Sequence, residues 1–429
     1  MDSPGPLFVG IDLGTSGCRA VAIDRALRPV AGADVAITPP QRRDAHSEQD
    51  AASWWNAVDA VMATLTARID PRDIHALAVA ATSGTVVLTD DEGTPVMPAL
   101  LYNDARAREQ AARIAATAPP ASGAHGASSG LAKLLYLQAQ AASRTARHVL
   151  NQAEWIAARF TGRYDLGDEN NCLKLGYDVI QRRWPNWLDA LGVNRMWLPR
   201  VTAPGSPQGP VTESVSRRFG LAPHCQIVAG TTDSIAGFLA TGAERLGEAV
   251  TSLGSTLAVK ILSKGPVFAP DCGVYSHRLG TRWLAGGASN SGGAVLRHYF
   301  SQAELDALTP QLDPEHPTGL DYYPLLTPGE RFPVADPEFM PRLSPRPSQA
   351  LQFFQGMLEG MARIEADAYR RLAAMGAPFP GSVRTVGGGA VNAAWTRIRA
   401  RELKVPMIAP RHTEAAYGAA LLAAGRTPP

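Results

Sequence analysis

Hydrophobic positions open the chain as two short runs, LFVGI and CRAVAI, on either side of a turn, Gly14-Thr15-Ser16-Gly17, that carries two hydroxyls and follows an acid, Asp12. The apolar character of the flanks predicts a strand, a turn and a second strand, with a third strand over 30–38. From position 46 the pattern lengthens to the helical period, with Trp54, Val58, Val61, Leu65 and Ile69 on one stripe. The run IHALAVAA then predicts a buried strand ending in a small-residue turn at Thr82, Ser83 and Gly84, with a tight turn at 90–93.

Helical spacing returns at 104–116, 131–143 and 151–160, the last stopped by Thr161-Gly162, and the Pro/Gly-rich stretch 203–210 reads as a surface connection. HCQIVAGTTDSIAGFLATGA predicts a buried strand, a polar turn and a helix. EAVTSLGSTLAVKIL follows and repeats the opening device: apolar strand, glycine, two hydroxyls, apolar strand. A second echo pairs the strand entering Thr82-Ser83-Gly84 with VRTVGGGAVN, and the order of these elements predicts a duplicated architecture. The Pro-rich segment 301–348 is expected as long surface loops and 351–374 as a strong helix. The apolar run after Thr413 is expected as a small-residue helix opened by a capping-box-like Thr413.

A length of 429 residues exceeds one ordinary core and implies about two or three domains. Hydrophobic residues make 45% and charged residues 19% of the chain, which is a globular balance. The net charge of +2, without any basic run interleaved with aromatics, argues against nucleic acid as a partner. No stretch approaches the ~18 unbroken apolar residues of a membrane span, and the N-terminus has no signal-peptide pattern, so a cytoplasmic protein without a membrane partner is expected. Cys18, Cys172, Cys225 and Cys272 are scattered without metal-ligand spacing and read as reduced, buried small hydrophobes.

The turns carry the chemistry. Glycine beside hydroxyl residues lets backbone N–H groups converge on an anion, and two such loops facing each other hold a polyphosphate. Asp12 suits Mg²⁺ held through water, and Asp233, at the end of another apolar strand, suits a base that takes the proton of an acceptor hydroxyl. Each acid has a plain alternative as an Asx-turn residue capping local backbone. In Gly387-Gly388-Gly389-Ala390-Val391-Asn392, missing side chains leave room for a flat ring, with Asn392 able to donate and accept toward a nucleotide. Trp395 fits either beside that ring or in the core. There is no G-x-x-x-x-G-K-[ST] loop and no protein-kinase H-R-D set.

These motifs, in this order, resemble the FGGY carbohydrate kinases of the actin, hexokinase and heat-shock-chaperone ATPase superfamily. The resemblance runs through IDLGTSG, TSGTVVLTDDEG, YNDAR, VAGTTDSIAGFLATGA, TSLGST, GGASNSGG, VGGGAVN and EAAYGAALLAA. It implies an α/β fold of two ribonuclease-H-like (actin-like ATPase) domains around a central catalytic cleft. One domain is expected over 1–240, completed by a terminal helix at 413–429, on the sugar side; the other is expected over 241–412, on the nucleotide side. It also implies ATP and Mg²⁺, with transfer of the γ-phosphoryl group to a sugar or polyol hydroxyl.

Carried over by position, Asp12, Gly14 and Thr15 look like the first phosphate loop and metal-associated residues, with Asp12 and Asp233 holding the ion through water and Asp233 as base. Gly254, Ser255, Thr256 and Gly293 look like the second phosphate loop and its neighbour, and Gly388, Gly389, Asn392 and Trp395 like the adenosine motif. Ser83 and Asp104 lie in segments that contact the sugar, together with Asp12 and Asp233. Lys133 matches a signature lysine, but Gly130 and Tyr136 depart from that signature, and neither Lys133 nor Ser16 is assigned a role. The segment 80–85 departs from the pattern of xylulose kinases, and the motif set is most similar to short pentulose kinases of cyanobacteria and plant plastids. The substrate so implied is D-ribulose, giving D-ribulose 5-phosphate, with D-xylulose or another polyol as the alternative. From a different class, a nucleotide-gated scaffold of the same fold is the competing reading. Monomer and homodimer both stay open.

Overall fold

A computed structural model of the chain describes residues 5–426; positions 1–4 of the first expected domain and 427–429 of the expected terminal helix lie outside the described residues. The described chain divides into two compact units, one of 5–240, 277–280 and 414–426, the other of 241–276 and 281–413.

In the first unit, β1 (Leu7–Leu13), β2 (Gly17–Ile23) and β3 (Pro29–Ala36) form an antiparallel meander, with Leu13 opposite Cys18 at its first turn. β1 pairs in parallel with β4 (Ile74–Ala81), which pairs in parallel with β6 (Gln226–Thr232). The stretch read as a surface connection contributes the antiparallel edge strand β5 (Pro207–Pro210), whose prolines suit an edge because they lack a ladder donor. Helix α1 (Ala51–Thr66) buries Trp54, Val58, Val61 and Leu65. Helix α2 (Gln152–Thr161) opens on an Asn151 capping box closed by Glu154 and stops at Gly162 with φ 70°.

Helix α3 (Asp233–Ala240) continues directly from β6, and the late helix Ala415–Ala423 lies against β1 and α3. This approach is close. A Cβ on Gly418 would sit 1.8 Å from the Ala236 carbonyl oxygen, and one on Gly10 would sit 2.0 Å from that of Ala416. Thr413 does not cap this helix; Glu414 holds the cap position and makes no side-chain cap bond.

The second unit repeats the plan. β7 (Glu248–Leu253), β8 (Leu257–Ser263) and β9 (Arg282–Ala288) are antiparallel neighbours, and β7 pairs in parallel with β10 (Ser382–Val386), which pairs in parallel with β11 (Met407–Ile408). The orders β3-β2-β1-β4-β6 and β9-β8-β7-β10-β11 match in succession and direction. The loops after β1 and β7 therefore occupy the same place in two ribonuclease-H-like sheets. A long helix, α4 (Ala350–Ala374), and α5 (Ala393–Leu403) pack together in this unit.

Three further expectations need correction. The helix expected at 104–116 starts at Arg108 and ends at Thr117, because Asp104 and Arg106 fold 102–107 into a turn around their own ion pair. The helix expected at 131–143 ends at Gln138 and gives way to a 3₁₀ turn at 141–145. The Pro-rich segment 301–348 is not simply surface: it begins with a helix, Gln302–Leu308, and buries Leu312, Tyr322 and Phe332 in the core of the second unit. The four cysteines are buried and free. Among the described residues no helix is long and apolar enough to cross a membrane.

Candidate functional site

In the first unit three parallel strands bring their C-terminal ends to one edge of the sheet. Asp12 and Thr231 both stand opposite Ala80, so Asp12, the Thr82–Thr85 turn and Asp233 follow one another across β1, β4 and β6. Asp12 Oδ1 is buried and has no hydrogen-bond partner. Burial, and then the neighbouring Asp233 carboxylate, push the Asp12 carboxyl up to about 7, against the cross-strand pull of Arg19. Asp233 Oδ1 accepts the Ser234 N–H at 2.6 Å, which is the local turn role open to this residue from sequence.

The loop after β1 closes on itself, Gly14 N–H donating to Gly17 O at 2.9 Å. A Cβ on Gly14 would meet nothing nearer than that carbonyl at 3.5 Å. The chain's own packing therefore does not demand this glycine, which is consistent with access for a bound group. Thr15 is half-buried in the turn. Ser16, left without a role by the motif comparison, points its side chain outward while its carbonyl accepts the Ile37 N–H at 3.0 Å and ties the turn to the end of β3.

Ser83 Oγ is also buried without a partner. Its turn is held from several sides: Thr82 Oγ1 donates to Gln152 Oε1 at 2.7 Å, Lys133 Nζ donates to Gly84 O at 2.8 Å, and Lys174 Nζ reaches Ser83 O at 3.4 Å. Lys133 is fully buried, with a second bond to Ser128 O at 2.9 Å, and burial followed by repulsion from Lys174 lowers its ammonium to about 7. The residue set aside in the sequence thus clamps the turn that carries Ser83.

Asp104 stands differently from the expectation of a direct sugar contact. It is fully buried, and its oxygens accept from Ser47 N–H at 2.7 Å, Arg106 N–H at 3.2 Å, Arg106 Nε at 3.0 Å and Arg106 Nη2 at 2.6 Å. Arg106 Nη1 continues to Glu48 at 2.5 Å. Tyr102 N–H donates to Thr85 Oγ1 at 2.9 Å, joining this segment to the Ser83 turn. Asp104 is therefore placed to orient Arg106 and the segment around it.

In the second unit Gly254, Ser255, Gly293, Gly388, Gly389, Asn392 and Trp395 line one pocket of about 400 Å³. Thr256 is exposed and is not part of its wall. The loop after β7 is braced from outside: Gly293 N–H donates to Gly254 O at 2.9 Å, Ala294 N–H to Ser255 O at 3.1 Å and Arg297 Nη2 to Ser255 Oγ at 2.9 Å. A Cβ on Gly293 would stand 2.7 Å from Gly254 O.

Leu305, Phe354, Leu358 and Val391 add apolar side chains to the lining, beside the polar Gln302, Asp306 and Thr309. Trp395 is both core and wall. Its indole N–H donates to Leu358 O at 3.2 Å, and its ring leaves no room for a side chain at Gly389. Asn392 Oδ1 accepts the Trp395 N–H at 2.9 Å, so this side chain caps α5 through its oxygen.

Sequence reasoning missed Arg19, Gln152, Arg297 and the 302–309 wall. Arg19 was recoverable from the hairpin, since a turn at 14–17 sets it opposite Asp12; Arg297 was recoverable as the residue one helical turn beyond Gly293. Gln152 was not, because its contact spans 70 residues.

Comparison with known proteins finds two family domains in succession along the chain. Residues 7–240 match the N-terminal domain of the FGGY family of carbohydrate kinases, and residues 249–425 match the C-terminal domain of the same family. The chain is 27% identical to the xylulose kinase of Escherichia coli over 413 residues, covering 92% of this chain and 84% of that protein. Among solved structures, a xylulose ("xyloylose") kinase from Brucella ovis superposes with a TM-score of 0.89 at 25% identity, covering 98% of this chain and 91% of that one. A Plasmodium falciparum glycerol kinase with ADP shares the fold, at a TM-score of 0.85 and 17% identity, covering 97% of this chain and 89% of its own.

Proposed function

The chain belongs to the FGGY family of carbohydrate kinases, and within it we propose that this protein transfers the γ-phosphoryl group of ATP to a hydroxyl of a ketopentose. In this reading the unit of 5–240 and 414–426 handles the sugar and the unit of 241–276 and 281–413 handles the nucleotide. The observation that carries it is the succession of Asp12, the Ser83 turn and Asp233 along one sheet edge, two acids and a buried unpartnered hydroxyl at adjoining strand ends.

Asp233 takes the proton as the acceptor oxygen bonds to the γ-phosphorus and the bond from that phosphorus to the leaving ADP oxygen breaks. Ser83 Oγ, with no protein partner, orients the sugar, and Lys133 with Gln152 holds its turn still. The amphipathic pocket of the second unit suits a nucleotide, with loop N–H groups and Arg297 toward the phosphates and Phe354, Leu358 and Trp395 toward the base.

Asp12 fits a hydrated Mg²⁺: its buried, unpartnered oxygen beside a second carboxylate is a site that positive charge relieves. Among the described residues no group of three or more His, Cys, Asp or Glu side chains is arranged to ligate a metal directly, so contact through water is expected. Bound there, Mg²⁺ supplies charge to offset that of the transferring phosphoryl group.

The curated relatives from Escherichia coli and Klebsiella pneumoniae are xylulose kinases, which favours D-xylulose over the D-ribulose suggested by the resemblance of short motifs. A coupled ADP-release assay against D-xylulose, D-ribulose, L-ribulose, ribitol and glycerol tests this. D-xylulose is expected first, a ranking led by D-ribulose would restore the substrate implied by the motifs, and equal release with and without every sugar would favour a scaffold. Asp233→Ala should cut sugar-dependent turnover by at least about 10³-fold while ADP binding persists; near-native turnover would sink the assignment of the base.

A further inference from the structure

Behind the nucleotide pocket lies a buried ion pair that no step above uses. Arg399 of α5 and Glu365 of α4 are fully buried, and Arg399 Nε and Nη2 donate to the two Glu365 oxygens at 2.6 and 2.7 Å. The pair then reaches two strands. Arg399 Nη1 donates to Thr385 Oγ1 at 2.7 Å, while Thr251 Oγ1 donates to Glu365 Oε1 and stands 2.9 Å from the Tyr369 hydroxyl. With its own proton committed to Glu365, Thr251 receives the proton of Tyr369.

Thr251 and Thr385 are partners in the β7/β10 register. Each lies a short step before a loop of the pocket: Leu253-Gly254-Ser255 on one side and Gly387-Gly388-Gly389 on the other. Gly387 is already pressed on β7, since a Cβ there would lie 2.7 Å from Leu253 O.

A buried pair of this kind is weak support for stability, because withdrawing two charges from water costs several kcal/mol and apolar replacements of similar volume are often as stable. Its geometric specificity is the stronger explanation. We infer that Glu365 and Arg399 are positioning residues that set the spacing between the phosphate loop after β7 and the glycine turn after β10, and so tune affinity for a nucleoside di- or triphosphate. This inference rests on the nucleotide reading of the pocket.

The test separates spacing from folding. Arg399→Lys keeps the charge but loses the fork that grips Glu365 and Thr385 together. It is expected to raise the ADP dissociation constant by calorimetry and the KM for ATP by about tenfold, with the sugar KM within about twofold, a loss in proportion to loop displacement. The double variant E365M/R399M is expected to unfold within a few degrees of the wild-type temperature yet keep the weakened nucleotide affinity. Wild-type ADP affinity in both variants would overturn the inference alone. A wild-type protein that binds neither ADP nor ATP would overturn the nucleotide reading and the inference with it.

Discussion

Two loops hold the same place in two sheets of the same order and close in the same way, yet their surroundings differ. The loop after β1 closes through Gly14 N–H to Gly17 O, is tied outward by Ile37 N–H to Ser16 O, has open space at Gly14 and follows an acid with one buried, unpartnered oxygen. The loop after β7 follows no acid; it closes by the same kind of bond, Gly254 N–H to Thr256 O at 3.2 Å, with similar space at Gly254, but it is braced by Gly293, Ala294 and Arg297 of a following helix, and Gly293 has no space for a side chain. The difference teaches a division of labour. On the proposed function, the first unit holds electrostatic tension at its sheet edge and the second holds a braced outline for its ligand.

The severest trial of that division is Asp12→Asn. Turnover should fall by at least about 10³-fold. Stability should move the other way, because the folded carboxyl sits near 7 against 3.8 as the ordinary value. A raised carboxyl favours the folded state fully below pH 4, and that advantage is lost as pH rises through 7. The variant escapes the loss, so its unfolding temperature should exceed wild type by roughly 5 °C at pH 8 and match it near pH 4. Equal unfolding temperatures at both pH values would show that Asp12 stores no tension.

A paired substitution comes next. Gly293→Ala should lower the unfolding temperature and raise the KM for ATP by about tenfold, since the added carbon meets Gly254 O. Gly14→Ala should leave the unfolding temperature within about 1 °C and act on turnover alone. Identical behaviour of the two would erase the contrast between the loops.

Lys133→Met probes the charged side more gently. Because burial lowers the folded ammonium to about 7 from an ordinary 10.5, wild-type stability should climb as pH rises from 7 toward 10, and the variant should lack that slope. Its sugar KM should rise severalfold as the Ser83 turn loosens, with the ATP KM unchanged; a shift in the ATP KM instead would place Lys133 on the wrong side of the comparison. The smallest effect is reserved for Thr256→Ala. Exposed and outside the pocket wall, Thr256 should change the KM for ATP by less than about twofold, and a larger loss would mean that the second loop also works through its hydroxyls.

The repeated plan was legible because hairpin glycines and strand-length apolar runs are local signals, and local signals survive in one dimension. The ring of Gly388, Gly389 and Trp395 was legible for the same reason, as glycine spacing followed by one helical turn. What escaped depended on register. Glu365 and Arg399 are 34 residues apart on separate helices, and only the β7/β10 pairing reveals that they address two loops at once. Asp104 reads as an available acid until Ser47 and Arg106 are seen to occupy it. The 301–348 segment misled through its prolines, which forbid regular ladders but do not prevent Tyr322 and Phe332 from filling a core.

The helix at 415–423 has a consequence for how the protein is made. Its Ala416, Tyr417 and Ala420 cover Val21 and Ile23 of β2 and Ala240 of α3, and its backbone lies on Gly10 of β1. A ribosome delivers the central strands of the first sheet long before their lid, and the whole second unit must emerge in between. Until then the nascent sheet shows an uncovered apolar face, a surface on which chaperones act and to which truncated chains remain exposed. Completion of the first unit therefore waits on residues 415–423, so a chain that stops short of residue 415 is expected to be recognised as unfinished.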